Sequence, residues 1–430
     1  MKSITRIVII ADDLTGAADC AVACAGHGLR TLVVLDDCRD NDAEVLAIDA
    51  NTRNAGPERA LAETARLVRE HARGEGTLFY KKIDSTLRGN VAAELAGALQ
   101  AQSAIAGQNQ KAVAVLAPAF PANGRTTAGG RVLVHGVPLA ETDLWQYERN
   151  PPPSSLVEMM SRTGLQTALL PLALIRGSDL QKTMSDLAQR FDVLVCDAET
   201  DEDLRAIAET AMTLDCRTLL AGSAGMAYHL PRAAGMQGEP ITPPAVKLPA
   251  PILFVVGSGA GISRVQTRVL EARPDIVSVR VAPGVLRAGE ELPEWQGHRA
   301  AIERAFRAGV DVLLTVGAEE RIERAQEPAL AAALGELAHP CSGVVGALVA
   351  TGGETARAVL RAWGIAGLQI VGEVEPGLPC SLAAGWRREL PVLTKAGSFG
   401  TPETLLRCRQ FLQSLGHGDA ALSNLSKGNC

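Results

Sequence analysis

Aromatic side chains are scarce: 7 Phe, 4 Trp and 3 Tyr stand among 430 residues. The core must therefore be aliphatic and small, and the aromatic platforms on which single-stranded nucleic acid stacks are missing. A basic excess is missing too, since 42 Lys and Arg face 48 Asp and Glu for a net charge of -6. Binding to a phosphate backbone needs such an excess, so nucleic acid is excluded as an expected partner. Cysteine forms no framework: the 9 residues fall at 20, 24, 38, 196, 216, 341, 380, 408 and 430, an odd number with no CxxC pair. That excludes a disulfide scaffold and a zinc ribbon, and a reducing cytoplasm is the expected compartment. No stretch approaches the roughly 18 apolar residues of a membrane span. The opening MKSITRIVIIADD meets two carboxylates before a signal core could form, so neither insertion nor export is expected. Also missing are a Walker A loop, an HExxH pair and a GxSxG elbow, which removes support for those phosphate-binding, zinc-protease and hydrolase chemistries.

What is present is an aliphatic chain, 47% apolar by residue, long enough for two large domains or three small ones. Short apolar runs alternate with helical segments, the pattern of βα units around a largely parallel sheet. The first half predicts strands at Arg6 to Ala11, Thr31 to Asp36, Val45 to Asp49, Thr77 to Lys82, Ala112 to Ala117, Thr167 to Pro171, Val193 to Asp197 and Thr218 to Ala221. The second predicts them at Ile252 to Val256, Ile276 to Val281, Val310 to Val316, Val344 to Ala350, Leu368 to Val374 and Val392 to Lys395. MQGEPITPPAVKLPA, residues 236–250, carries four prolines and no amphipathic period, so it reads as a linker. The expected organisation is an α/β chain with a first domain at 1–235, the linker, a second domain at 251–415 and a flexible tail at 416–430.

Candidate chemistry gathers at strand ends, where open α/β sheets bind ligands. Asp12 and Asp13 follow the first strand, and adjacent carboxylates there suit a substrate hydroxyl. Asp13 or Thr15 as a simple helix cap is the competing reading. Lys82 ends the Thr77 to Lys82 strand, and Asp84 and Arg88 follow it; the cations could clamp an anion, against a plain charged turn. Asn123 and Arg125 follow the Ala112 to Ala117 strand and could face the same crevice, or merely close a loop. In the second half, three glycine turns follow apolar runs: Gly257–Gly261, Thr351–Thr355 and Ala396–Gly400. Glycine lets backbone approach a ligand, and N–H groups at a helix start hold phosphate oxygens. One such turn is weak evidence, whereas three in one domain point to a nucleotide. The first gives GxGxG and not GxGxxG, so a dinucleotide fingerprint fails. Gly222–Gly225 is a fourth anion-facing turn or only the end of a sheet.

In this order ADDLTGAAD, YKKIDSTLRGN, PAFPANGRTT, GSAGMA, GSGAGISRVQ, VATGGETARAVL and KAGSFG resemble the motif set of the four-carbon acid sugar kinases, over about residues 6 to 412. The resemblance implies an N-terminal domain for a sugar acid, a C-terminal domain for ATP with Mg²⁺, and a cleft between them. It implies transfer of the γ-phosphoryl to the terminal hydroxyl of threonate, erythronate or 3-oxotetronate. A kinase must keep water from the γ-phosphoryl, so domain closure is expected, with the linker as candidate hinge. Carried over, the ATP contacts fall on Ser258, Gly352, Gly353, Glu354, Thr355 and Gly397. The acid site falls on Asp12, Asp13, Lys82, Asp84 and Arg88, with Asp13 or Asp12 as first choice of proton acceptor and Asp84 as second. Leu14, where 3-oxotetronate members tend to show Phe, and the KKIDSTLRG wording lean towards D-threonate or D-erythronate. Metal ligands and the oligomeric state, homo-oligomer included, are left open by the sequence. Two readings of other classes stand beside this one: an NAD-dependent sugar-acid dehydrogenase and a non-catalytic sugar-acid sensor.

Overall fold

The computed structural model describes residues 3–35, 42–74, 76–106, 111–145, 151–239, 251–317 and 327–417. The chain divides into two compact units, one of residues 1–31 and 41–240, the other of 32–40 and 241–430. Of the expected linker, residues 240–250 lie outside the described residues, as do 418–430 of the expected tail.

Along the chain the first half contributes β1 (Arg6–Ala11), β2 (Thr31–Val34), β3 (Val45–Asp49), β4 (Thr77–Lys82), β5 (Ala112–Ala117), β6 (Arg125–Ala128), β7 (Arg131–Val134), β8 (Val137–Pro138), β9 (Thr167–Leu170), β10 (Val193–Cys196) and β11 (Arg217–Gly222). The second contributes β12 (Ile252–Val256), β13 (Ile276–Val281), β14 (Asp311–Val316), β15 (Ala347–Thr351), β16 (Gly367–Glu375), β17 (Leu378–Ala384) and β18 (Pro391–Lys395).

In the first unit β3-β1-β4-β11-β5-β10-β9 run parallel. RIVIIA, TLFYKK and AVAVLA are buried at every position, as expected of strands covered on both faces. The crossover helices include α1 (Leu14–Ala25), α2 (Pro57–His71) and α3 (Val91–Ala106). In α2, Pro57 pre-sets the first turn, Glu58 suits the positive end of the dipole, and Arg69 and His71 suit the other. Because all seven strands point one way, the segments after β1, β3, β4, β5 and β11 emerge at one edge. A small antiparallel sheet, β6-β7-β8, lies outside the predicted set.

In the second unit β13-β14-β12-β15-β18 run parallel; β17 joins antiparallel to β18, and β16 antiparallel to β17. Leu32–Val34 of β2 group with this unit, antiparallel to Gly367–Gln369. Its core sets Phe254, Val256, Leu313, Val349 and Leu393 against Leu405 and Leu412 of the last helix, Thr404–His417. Among the described residues no helix is long and apolar enough to cross a membrane.

Candidate functional site

At the end of β1 the chain places Asp12 and Asp13 side by side. Asp13 caps α1, accepting from Gly16 N at 2.7 Å, so the capping reading holds, yet the cap occupies only one of its oxygens. The other, Oδ2, accepts from Arg53 Nη1 at 2.5 Å. Arg53 also grips Asp12 side-on, Nε donating to Oδ2 at 2.6 Å and Nη2 to Oδ1 at 2.9 Å. Burial alone would raise the Asp12 carboxyl; Arg53, with Lys81 and Lys82 adding, overcomes it and holds the group below its ordinary range.

Sequence reasoning missed Arg53. It stands in the turn after β3, where Asn51 takes φ 50° and the Thr52 and Arg53 amides donate to Asp12 O at 3.0 and 3.2 Å. The turn is anchored from below. Lys81 Nζ meets Glu94 Oε2 at 3.1 Å with both side chains 1% exposed, and Thr52 Oγ1 donates to Glu94. Asn90 Nδ2 donates to Thr52 O and Ala55 O. Lys81 is thus structural, whereas Lys82 belongs to the site.

Lys82 Nζ lies against the first turn of α1: an ideal Cβ on Gly16 would be 2.8 Å from both Lys82 Nζ and Asp13 Oδ1. Burial works to neutralise Lys82, but Cys20, Asp12 and Asp13 outweigh it and keep its proton bound more firmly than usual. Asp84 accepts from Arg88 Nε at 2.7 Å, Arg88 Nη2 at 3.1 Å and Thr86 Oγ1 at 2.5 Å. Burial raises its carboxyl, while Arg88, Arg53 and these bonds drive it far below the ordinary range. The structure therefore brings Asp12, Asp13, Lys82, Asp84 and Arg88 into one charge network, with Arg53 at its centre.

Asp19, on α1 one turn beyond Gly16, is a further member that the motif reading passed over. Burial pushes its carboxyl up to about 6, Lys82 opposing and Asp13 adding. A carboxyl raised from 3.8 in this way favours the fold below about pH 4, and that stability is lost as pH rises through about 6. Asp19→Asn is therefore expected to stabilise the protein by about 2–3 kcal/mol at pH 7.5 and hardly at all at pH 4. Urea midpoints at the two pH values measure this, and equal gains at both would show an ordinary Asp19.

The turn after β11 has a packing role. Ser223 Oγ donates to Ala119 O at 2.7 Å, and a Cβ on Gly225 would lie 2.7 Å from the same oxygen. Gly222–Gly225 is thus where the segment after β5 crosses closely over the sheet edge. Arg125, in that segment, feels the fields of Asp84 and Arg88, while Asn123 contributes its carbonyl to Arg125 Nη1.

In the second unit the three glycine turns converge at the ends of β12, β15 and β18, which are neighbours. A Cβ on Gly397 would fall 2.0 Å from Ser258 Oγ, and one on Gly257 2.1 Å from Thr355 Oγ1. Gly352 takes φ 99°, a glycine conformation, and lies 3.4 Å from Thr355 Oγ1 and 3.5 Å from Ser258 Cβ by the same measure. Two helices start here, Gly261–Glu271 and Gly353–Ala362, neither with a side-chain cap. Their N–H groups are available to an anion. Glu354 stands in the first turn of the second helix, next to Gly353. The 396–401 turn is held from three sides: Ser263 Oγ to Gly397 O at 2.6 Å, Gln266 Nε2 to Phe399 O and Thr401 O, and Lys395 Nζ to Ala396 O and Phe399 O. Burial pushes the Lys395 ammonium down to about 8, against Cys408 and Glu375. Ser258, Gly352, Gly353, Thr355 and Gly397 are thus one constellation.

A family model for a sugar-binding N-terminal domain matches residues 7–230, and one for a nucleotide-binding C-terminal domain matches 253–405. The chain is 40% identical over 413 residues to a D-threonate kinase of Cupriavidus necator, covering 93% of this chain and 96% of that protein. It is 30% identical over 447 residues to a D-erythronate kinase of Heliobacterium modesticaldum, covering 95% and 97%. The crystal structure of Haemophilus influenzae protein HI1011 shares the fold, with a TM-score of 0.71 at 21% identity, covering 94% of this chain and 100% of that one. The paired carboxylates with their arginines lie within the first matched span and the converging glycine turns within the second. The chain belongs to the four-carbon acid sugar kinase family, ATP-dependent phosphotransferases with an alcohol group as acceptor.

Proposed function

We propose that this chain phosphorylates the terminal hydroxyl of D-threonate to give 4-phospho-D-threonate. The observation that carries the substrate is the 40% identity to a D-threonate kinase over nearly the whole of both chains. The first unit supports it with a network that suits a polyhydroxy acid: carboxylates to accept from hydroxyls, cations to balance an anion. In this reading Asp12, Lys82, Asp84 and Arg88 hold the acid, and Asp13 takes the proton of the attacking 4-hydroxyl. That oxygen bonds to the γ-phosphorus as the bond from γ-phosphorus to the bridging oxygen breaks, leaving ADP.

Phosphoryl transfer through a loose transition state asks for position and charge more than for covalent chemistry. Ser258, Gly352, Gly353, Glu354, Thr355 and Gly397 are the proposed nucleotide contacts, the glycine-turn amides facing phosphate oxygens. In this reading Mg²⁺ would be held by the phosphates of ATP and would offset their charge. A cytoplasmic site of action is part of the same reading and suits the cysteines, which are free at 20, 24, 196, 216, 341, 380 and 408.

Coupled ADP release across D-threonate, D-erythronate and 3-oxotetronate tests the proposal. The highest kcat/KM is expected with D-threonate; a higher value with D-erythronate would move the assignment to that acid, and no turnover with any would end the kinase reading. The nucleotide half has its own test. Gly397→Ala drives a methyl into Ser258 and is expected to raise the KM for ATP about tenfold or more, for a loss of one charge-assisted hydrogen bond or so. The KM for the acid should stay within about threefold, so equal changes in both would argue against Gly397 as a nucleotide contact.

A further inference from the structure

We propose that Arg125 grips the carboxylate of the sugar acid and so fixes which end of the four-carbon chain faces the nucleotide; this deepens the kinase reading and rests on it. The other site arginines already have carboxylate partners: Arg53 makes three hydrogen bonds to Asp12 and Asp13, and Arg88 lies side-on to Asp84. Lys82 stands beside Asp13 at the first turn of α1, where the reading places the 4-hydroxyl and not the carboxylate. Arg125 differs: only Nη1 is occupied, by Asn123 O at 2.5 Å, and its buried Nε has no acceptor among the described residues. A buried donor left unmet carries a free-energy penalty, and an arginine edge of Nε with one Nη is the shape that donates to two carboxylate oxygens.

The backbone presents this edge on a fixed mount. Pro121–Asn123 form a 3-10 turn closed by Gly124 at φ 65°, and the His135 ring fills the space a Cβ there would need, 2.3 Å from Nδ1. Phe120 N donates to Arg125 O at 2.7 Å and Arg125 N returns a bond to Phe120 O at 3.0 Å. Asp197 accepts from Gly129 N and Gly130 N at the tip of the β6–β7 hairpin. Trp145 Nε1 donates to Thr86 O at 2.8 Å, tying the segment after β8 to the Asp84 turn. Burial loosens the Arg125 proton, Asp84 opposing and Arg88 adding, so the guanidinium lies within the field of the site. Asp12 and Asp13 repel a carboxylate, so an acid whose 4-hydroxyl lies at Asp13 extends its charged end away from β1, towards the β4 and β5 side where Arg125 stands.

The test compares D-threonate with its neutral C1 amide in the full chain, Arg125→Gln and Arg125→Lys, using ATP throughout. Arg125→Gln is expected to lower kcat/KM for the acid about a hundredfold, mainly through KM, with the KM for ATP within about twofold. The wild-type preference for acid over amide should collapse in that variant. Arg125→Lys keeps the charge without the planar edge and should still lose about tenfold, which separates this role from general electrostatics and from misfolding. Equal losses for acid and amide in Arg125→Gln, or a preserved acid preference, overturn the inference while leaving the kinase reading intact. A wild-type chain that phosphorylates no four-carbon acid overturns both.

Discussion

Arg53→Met is expected to cut kcat/KM for the sugar acid by about a thousandfold and to lower the unfolding free energy by about 3–5 kcal/mol, the cost of removing one partner from a buried charge pair. The reason is the position of Asp12, whose side chain is 2% exposed while Arg53 itself is 17% exposed. Without the guanidinium, Asp12 keeps only the longer-range help of Lys81 and Lys82. The turn should survive, because its amides donate to Asp12 O and its far side is held by Glu94 and Asn90. The loss therefore falls on the charge network and not on the path of the chain. Arg53→Lys restores charge but cannot bridge two carboxylates with a planar fork, and recovery of about tenfold is expected. Steady-state kinetics with urea unfolding of each variant measure both effects. A kcat/KM within about fivefold of wild type would remove Arg53 from the centre of the site.

That Arg53 escaped sequence reasoning has a physical cause. It is 41 residues from Asp12, and nothing local in NTRNAG marks it as more than a polar turn. The two meet only because β1 and β3 run parallel with Ala11 beside Asp49, which aligns the segments that follow them. Asp12, Asp13, Lys82, Asp84 and Arg88 were legible because each stands at or just after the end of a strand whose apolar run is plain in the sequence. The strand ends themselves shift by up to three residues, as at Val344, where the strand starts at Ala347.

The small β6-β7-β8 sheet was missed although its signals were present. Gly129-Gly130 and His135-Gly136 are two-residue turns with positive φ at all four positions, the conformation that hairpins of this length favour. They lie in a polar stretch that a search for βα units passes over. Strand β17 was missed similarly: Gly377, with φ 79°, reverses the chain after β16 and inserts an antiparallel strand into a sheet expected to be parallel. In the nucleotide half, glycine spacing showed each turn but not their convergence, which depends on β12, β15 and β18 being neighbours.

Asp13→Asn is expected to reduce kcat by about a hundredfold to ten-thousandfold, the range typical of a lost proton acceptor, while ATP binding is nearly unchanged. Of the three carboxylates, Asp13 is the most accessible, its side chain 22% exposed against 2% for Asp12 and 12% for Asp84. Both oxygens of Asp12 are covered by the Arg53 fork, and those of Asp84 receive Arg88 and Thr86. Asp13 gives one oxygen to the α1 cap and one to a single Arg53 nitrogen, so lone pairs remain for a substrate hydroxyl. The cap survives the substitution, because Asn is as good an N-cap as Asp and its carbonyl can still accept from Gly16 N. What changes is the negative charge, the capacity to receive a proton and the bond from Arg53 Nη1, which then meets an amide donor in place of an acceptor. Equilibrium binding of ATP and single-turnover phosphoryl transfer, measured on the same variant, separate the two halves of the reaction. If transfer in Asp13→Asn stays within about threefold of wild type, the proton goes elsewhere, and Asp12→Asn and Asp84→Asn then decide between the remaining two carboxylates.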